Sequence, residues 1–112
     1  MPDNDKNAGT FPDVNRLIHE PTRYNIMALL YVVTKAEFLF VQNRIGLTPG
    51  NLSAHVSKLE AAGYVTVEKK FVGKMPRTML SLTKRGRKAF EDYRRTMKDL
   101  FTTPLETRTK SD

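Results

Sequence analysis

Two neighbouring segments carry the side chains best suited to bind a ligand, and their chemistries differ. Segment 48–63 is rich in small polar residues, and its only charges, Lys58 and Glu60, cancel. Small donors and acceptors can match the edges of nucleic-acid bases, whereas cations attract phosphates of any sequence. Segment 69–77 supplies the cations, at Lys69, Lys70, Lys74 and Arg77. This order predicts a polyanionic partner whose base edges contact the first segment and whose phosphates contact the second.

Other chemistry finds little support in the sequence. The chain has no cysteine, which excludes disulfides, zinc–thiolate sites and a cysteine nucleophile. His19 and His55 are the only histidines, and neither stands beside a carboxylate pair at catalytic spacing. A phosphate-binding glycine loop is also absent from the sequence. We therefore expect no catalytic residues, no metal site and no cofactor.

Length and charge set the class of protein. The chain has 112 residues, enough for one domain, and a formal net charge of +7 that lies in its second half. This charge favours an anionic partner such as nucleic acid or an anionic surface, although a solvated basic face gives the same count. No apolar run reaches membrane-spanning length, and the start lacks the order of a secretory signal. We expect a cytoplasmic protein with no membrane partner.

Helical periodicity dominates the first half of the chain. After a polar, flexible arm over residues 1–12, the pattern predicts a short helix over 14–19. Pro21 suits the first turn of a second helix, because its missing N–H needs no partner there. A third, short helix fits 36–45. The core-facing positions are expected at Ile26, Leu29, Leu30 and Val33 on the second helix, and at Phe38, Val41 and Ile45 on the third.

The small polar segment is predicted to be a fourth helix. Thr48 can cap its start and Pro49 fits its first position, while Gly63 can end it in left-handed backbone. An apolar stripe runs along it at Leu52, Val56 and Leu59. Because only Gly46 and Leu47 separate it from the third helix, the two helices should form a helix-turn-helix.

Alternating periodicity follows and then returns to helical. Residues 64–72 read as a strand with Val65, Val67 and Phe71 facing inward, 72–76 as a loop, and 78–82 as a return strand with Leu80 and Leu82 inward. Thr83 can cap a long last helix over about 83–101, and 102–112 is expected to be a flexible tail. The predicted fold class is therefore α+β, mostly α, with one domain over 13–101. It combines a helix-turn-helix, a two-stranded β-hairpin and a long C-terminal helix.

Several runs of sequence carry a family resemblance. TPGNLSAHVSKLEAAGYV, KKFVGKMPRT and LSLTKRGRKAF resemble the winged helix-turn-helix transcriptional regulators of the MarR/ArsR type, and HEPTRYNIMALL resembles their second helix. The likeness covers about Ile18 to Tyr93. It implies a sequence-specific regulator that binds double-stranded DNA as a homodimer on a pseudo-palindromic operator. The fourth helix, 48–62, would be the recognition helix in the major groove, and the hairpin would be the wing.

The resemblance and the helical wheel together predict the contacts with DNA. The base-contacting face comprises Gly50, Asn51, Ala54, His55, Ser57 and Lys58. The backbone or minor-groove contacts comprise Thr48 and Ser53, together with the basic part of the wing over 69–77: Lys69, Lys70, Lys74 and Arg77. His55 could instead pack beside the apolar stripe, and Arg23 could bind a phosphate or pair with a carboxylate. The cluster Lys84, Arg85, Arg87 and Lys88 could reach DNA or be solvated.

The terminal helices are expected to form the dimer, as is typical of the family. The candidate contacts are Leu17, Ile18, Phe90, Tyr93, Met97, Leu100 and Phe101, although this stripe could instead fold onto its own core. A small-molecule effector could bind near Tyr24, Met27, Tyr31 and Phe40, although ordinary core packing explains these residues better. The rival function is a winged-helix module for protein–protein contact. RNA binding is a third possibility, with Phe71 as the nearby aromatic candidate.

Overall fold

The computed structural model describes residues 14–102, which form five helices and three strands. The predicted arm over 1–12 and the predicted tail beyond residue 102 lie outside the described residues. In chain order, the elements are α1 (Arg16–His19), α2 (Pro21–Val33), β1 (Lys35–Glu37), α3 (Phe38–Ile45), α4 (Pro49–Ala61), β2 (Val65–Val72), β3 (Met75–Leu82) and α5 (Lys84–Thr102). The predicted fold class is confirmed: α3 and α4 form the helix-turn-helix, and β2 and β3 form the wing.

The two ends of α4 and the start of α5 lie at the residues that the sequence signals. Thr48 Oγ1 accepts from the N–H of Asn51 and so caps α4, in which Pro49 is the first residue. Thr83 Oγ1 accepts from the N–H of Gly86 at 2.9 Å and caps α5 in the same way. After α4, Gly63 takes a φ of 82°, which lets the N–H of Tyr64 bond the carbonyl of Leu59. These caps fix where α4 starts and where the chain leaves it.

A third strand extends the hairpin, and the sequence did not indicate it. β1 pairs antiparallel with β3 through Lys35, Ala36 and Glu37, which gives the strand order β1-β3-β2. The prediction that a helix begins at Ala36 is therefore wrong, since α3 begins at Phe38. Three residues are too few for alternation to show in the sequence, and their partners lie more than 40 positions away. The wing is thus tied to the helical part of the domain by β1.

The turn of the wing is tighter than expected. β3 begins at Met75, so only Gly73 and Lys74 join the strands, and the predicted loop over 72–76 is too long. Gly73 has a φ of 65°, which suits the first central position of a two-residue hairpin turn. Pro76 is tolerated within β3 because β1 pairs only farther along, leaving β3 with one neighbour there.

One core lies between the helices and the sheet, and two of the side chains predicted to face it are exposed. On α2 the buried residues are Ile26, Met27 and Leu30, whereas Leu29 is half-buried and Val33 is exposed. Phe71 lies on the core face of β2, as predicted, but it is 73% exposed and does not join the core. Burial falls along β2 from Val65 to the wing tip because the wing extends past the last helix that could cover it.

Close backbone packing sets the position of α5 against the start of the wing. Gly86 is buried, and a Cβ atom there would overlap the carbonyl oxygen of Tyr64. Thr83 Oγ1 also donates to the carbonyl of Gly63 at 2.6 Å, and the N–H of Thr83 bonds the carbonyl of Tyr64. The first turn of α5 therefore fixes the chain between α4 and β2. Within residues 14–102, no helix combines the length and apolar character needed to cross a membrane.

Candidate nucleic-acid interface

The α4 helix separates a buried stripe from an exposed polar face. Leu52, Val56 and Leu59 are buried, which fixes the rotation of the helix against the core. The opposite face is exposed and carries most of the predicted base-contacting residues, namely Gly50, Asn51, Ala54, Ser57 and Lys58. Ser53 and Thr48 are exposed beside it. The face is slim because glycine, alanine and serine dominate it, and a slim helix face can enter a major groove.

His55 is the exception on this helix, because it bonds within the protein. Its Nδ1 lies 3.1 Å from Nη1 of Arg23 and 3.7 Å from Oε1 of Glu20. Arginine only donates, so Nδ1 must accept this hydrogen bond, and the neutral ring then carries its proton on Nε2. His55 is half-buried, and the structure gives it a role in fixing α4 to α2 that the sequence did not suggest.

In the structure the Arg23 guanidinium bonds a backbone carbonyl and a histidine, and its alternative contact with a phosphate stays a prediction. Its Nε donates to the carbonyl of Leu17 at 2.7 Å, and Nη1 donates to His55. The side chain of Glu20 accepts from the N–H of Arg23 at 2.7 Å. Burial opposes ionisation of Glu20, but that hydrogen bond and the positive charge of Arg23 lower its pKa. Through these hydrogen bonds Arg23, at the start of α2, links α2 to α1 and to α4.

The wing supplies the cations beside α4. Lys69, Lys70 and Lys74 are all exposed on β2 and at the turn. A cleft separates the wing from α4, and Lys69 lines it together with Ser57 and Glu60 of α4. The low-charge helix and the basic wing therefore share one side of the molecule, as a single nucleic-acid interface requires.

Arg77 is the wing cation with a partner in the structure. Its Nη1 donates to Oε2 of Glu37 on β1. The two side chains are exposed at 39% and 36%, so water screens this pair in part. Arg77 Nε is buried and has no hydrogen-bond partner within residues 14–102. Its predicted contact with DNA stays a prediction, but Arg77 also holds the wing to β1, which sequence spacing could not indicate.

The basic cluster on α5 is partly engaged. The guanidinium of Arg87 lies 4.7 Å from the centre of the Tyr31 ring and donates to Thr34 Oγ1 at 3.2 Å. Tyr31 donates to Glu91 at 2.8 Å, and this bond, with a smaller effect of burial, raises the pKa of Tyr31. Lys88 pairs with Asp92 one turn along α5. These contacts favour a role in packing α5 for Arg87 over direct contact with DNA.

The predicted dimer stripe divides into two parts. Ile18, Phe90 and Tyr93 are buried in the protomer itself, so for them the alternative of packing on their own core is correct. Burial, and to a smaller extent the neighbouring Tyr24, raises the pKa of Tyr93, whose hydroxyl lies 2.7 Å from Nδ1 of His19. Leu17, Met97 and Leu100 are half-buried and Phe101 is 81% exposed. These four stay predicted dimer contacts.

Three of the four residues considered for an effector site pack in or against the core. Met27 is buried, and the rings of Tyr24 and Tyr31 pack on Phe90 with centroid separations of 5.4 and 5.2 Å. Phe40 is exposed on α3. Within the described part of the chain, no three histidine or acidic residues group as metal ligands would.

Comparison with known proteins agrees with this geometry. Residues 22–101 match the family described as the winged helix DNA-binding domain. An uncharacterized protein of Methanocaldococcus jannaschii is 35% identical over 78 residues, which span 70% of this chain and 85% of that protein. The structure of the transcriptional regulator homologue protein from Pyrococcus horikoshii OT3 superposes with a TM-score of 0.74 at 31% identity, over 78% of this chain and 86% of that chain.

A more distant structure shares the fold alone. Overoxidized AbfR bound to DNA superposes with a TM-score of 0.66 at 17% identity, over 84% of this chain and 70% of that chain. The predicted resemblance to winged helix-turn-helix regulators is thereby confirmed. Since the family match spans most of the sequence, from α2 to the end of α5, the chain belongs to the winged helix DNA-binding domain family.

Proposed function

We propose that the protein is a sequence-specific transcriptional regulator that binds double-stranded DNA as a homodimer. The observation that carries this proposal is the exposed face of α4, which is slim, polar and nearly uncharged, beside a wing that is strongly basic. Membership of a DNA-binding family and a 31% identical transcriptional regulator homologue support it. The proposal places its action in the cytoplasm, without an enzymatic activity.

The recognition helix would read bases from the major groove. Gly50, Ala54 and Ser57 let the helix approach, and the amide of Asn51 can both donate and accept at an adenine edge. Lys58 can reach a guanine or a phosphate. His55 would contribute the N–H of Nε2, since its other ring nitrogen accepts from Arg23. Thr48 and Ser53 would bond phosphates at the edges of the groove.

The wing would supply affinity without regard to sequence. Lys69, Lys70 and Lys74 are long, exposed and clustered, which suits contact with the phosphates or with a minor groove. Arg77 would contribute less to the affinity, because the carboxylate of Glu37 partly neutralises its positive charge.

A two-fold dimer would double these contacts. Leu17, Met97, Leu100 and Phe101 leave apolar surface on the terminal helices, and Phe101 is too exposed to serve the protomer core. Two-fold symmetry would place two α4 helices about 34–36 Å apart, one turn of duplex, and so select a pseudo-palindromic operator. An effector that changes this spacing would be compatible with the fold, although the aromatic residues of α2 are used in packing.

The test is selection from a random pool of duplex DNA by the purified chain, followed by sequencing. A recovered pseudo-palindrome with half-sites one turn apart is expected. Retention without any common motif would refute sequence-specific regulation and leave a general DNA binder. Failure to retain duplex at low salt would favour the rival, a winged-helix module for protein contact, against which the polar α4 face and basic wing already argue.

A further inference from the structure

The tip of the wing is apolar as well as basic. Three of the eight large hydrophobic side chains that are exposed within residues 14–102 lie there, at Phe71, Val72 and Met75. Phe71 is the largest of them and is 73% exposed. Val72 and Met75 pair with each other and so lie on the face opposite Phe71. Large apolar side chains concentrated at one exposed tip and rimmed by polar residues mark a surface that another molecule covers. The proposed role of the lysines in binding phosphates does not account for these residues.

Strand register shows which way Phe71 faces. Opposed residues of β2 and β3 alternate between two faces of the wing, and the core face carries the pairs Val65–Leu82 and Val67–Leu80. The next pairs on that face are Lys69–Thr78 and then Phe71–Pro76. Phe71 therefore lies on the same side as Lys69, which lines the cleft beside α4. It is two residues farther out, about 7 Å along the strand.

The surroundings of Phe71 are cationic. Lys69, Lys70 and Lys74 are exposed within three residues of it, and Glu68 is the single acid on the two wing strands and their turn. Duplex DNA is complementary to this arrangement, because its phosphates lie outside and its apolar base stack lies inside the groove. A second copy of the tip would bring like charges together. The position of Phe71 on the α4 side of the wing also favours the molecule that α4 itself would contact.

We infer that Phe71 is a minor-groove wedge, whose ring inserts against a base step next to the segment read by α4. Apolar side chains used in this way partly unstack a step and bend the duplex toward the major groove. Pyrimidine–purine steps deform most easily, so the wedge would select such a step without a hydrogen bond to any base edge. This inference rests on the proposed binding of double-stranded DNA and adds a second, indirect source of specificity.

The experiment exploits the absence of tryptophan from the chain. Phe71→Trp places a single indole at the wing tip, and stacking on a base quenches its emission. Val32→Trp is the matched control, because Val32 is 79% exposed near the end of α2, which adjoins Leu82 at the base of the wing and not the wing tip. Each variant is titrated at low salt with a fluorescein-labelled duplex of alternating T and A, and with a stiff duplex of oligo(dA) and oligo(dT). Anisotropy of the label reports binding separately from the tryptophan signal.

The wedge predicts strong quenching of Phe71→Trp by the alternating duplex, weaker quenching by the stiff duplex, and none in Val32→Trp. It also predicts that Phe71→Ala weakens binding of the alternating duplex about 5- to 150-fold for each inserted ring. Unchanged emission at Phe71→Trp while anisotropy reports binding would overturn the wedge and leave the proposed function intact. So would wild-type affinity in Phe71→Ala.

Other outcomes separate the remaining alternatives. If the wild-type chain binds neither duplex, the proposed function fails, and the wedge fails with it. The wedge is also overturned if quenching at Phe71→Trp occurs only with anionic phospholipid vesicles. Loss of self-association in Phe71→Ala, measured by sedimentation, would assign the tip to a second copy of the chain and overturn it as well. Because Phe71 is exposed, the far-ultraviolet circular dichroism of each variant should match that of the wild-type chain.

Discussion

The α4 helix and the wing lie side by side, yet they are supported in different ways. The α4 helix has three buried side chains, a cap at each end and a hydrogen-bonded link through His55 to Arg23. The outer half of the wing has its own strand pairing and the Arg77–Glu37 ion pair, and every side chain of β2 beyond Val67 is exposed. Reading base edges needs side chains held within a fraction of an ångström, whereas attraction between charges tolerates movement. The sequence thus places its rigid support where geometry matters and its charge where geometry matters less.

The largest expected effect is the dependence of DNA affinity on salt concentration. If the three wing lysines of each protomer contact phosphates in a dimer, six contacts give a log–log slope of about −5, and affinity falls by at least about 10³-fold between 50 and 200 mM salt. Titrations of one duplex at several salt concentrations measure the slope. Lys70→Ala and Lys74→Ala should each reduce it by about 0.9 per lost contact, while Lys98→Ala on α5 should leave it unchanged. A flat salt dependence would contradict a phosphate-binding wing.

The free energy of unfolding should show the same contrast when a valine is replaced by alanine in each of the two regions. Val56→Ala in α4 removes buried methyl groups and opens a cavity, which should lower the free energy of unfolding by about 2–3 kcal/mol. Val72→Ala at the wing tip, where the side chain is exposed, should change it by about 0.5 kcal/mol or less. Urea denaturation measures both. Equal losses would mean that the wing tip is as firmly supported as α4.

Local sequence signals accounted for the elements, while contacts between distant residues did not follow from them. The caps at Thr48 and Thr83 use neighbours three residues away, so spacing alone indicates them. The pairs Arg77–Glu37 and Arg23–His55 join residues 40 and 32 positions apart, and no periodicity marks them. β1 was missed for the same reason, because its three residues become a strand only through β3.

Alternation along a strand indicates which face of the sheet a side chain lies on, but not whether that side chain is buried. The pattern of β2 correctly placed Phe71 on the core face, yet it could not show that the core ends before Phe71. The stripe on α5 raised the converse difficulty. Phe90 and Tyr93 were assigned to a partner, but α1 and α2 supply enough covering surface to bury them within the protomer. Both errors concern which surfaces meet, a property of the assembled fold.

Base reading by α4 should appear as a loss that depends on sequence. Asn51→Ala should cost about 1–3 kcal/mol on the duplex recovered by selection and little on random duplex, because only the preferred site offers the matching edge. Asn25→Ala, an exposed asparagine on α2, is the matched control and should have no effect on either. Competition titrations with both duplexes measure the difference. Equal losses on the two duplexes would remove Asn51 from the reading face.

The smallest expected effect is at Arg77, which both links the wing to β1 through Glu37 and carries one of the positive charges of the wing. A double-mutant cycle with Arg77→Ala and Glu37→Gln should give a coupling of only about 0.2–1 kcal/mol in the free energy of unfolding, because both side chains are partly exposed. Since Glu37 shares the charge of Arg77, Arg77→Ala should also reduce the salt slope by less than Lys70→Ala does. Zero coupling together with a slope reduction equal to that of Lys70→Ala would show that Arg77 acts on phosphates and does not hold the wing to β1. A measurable coupling with the smaller slope change would make Arg77 the residue through which β1 sets the angle of the wing.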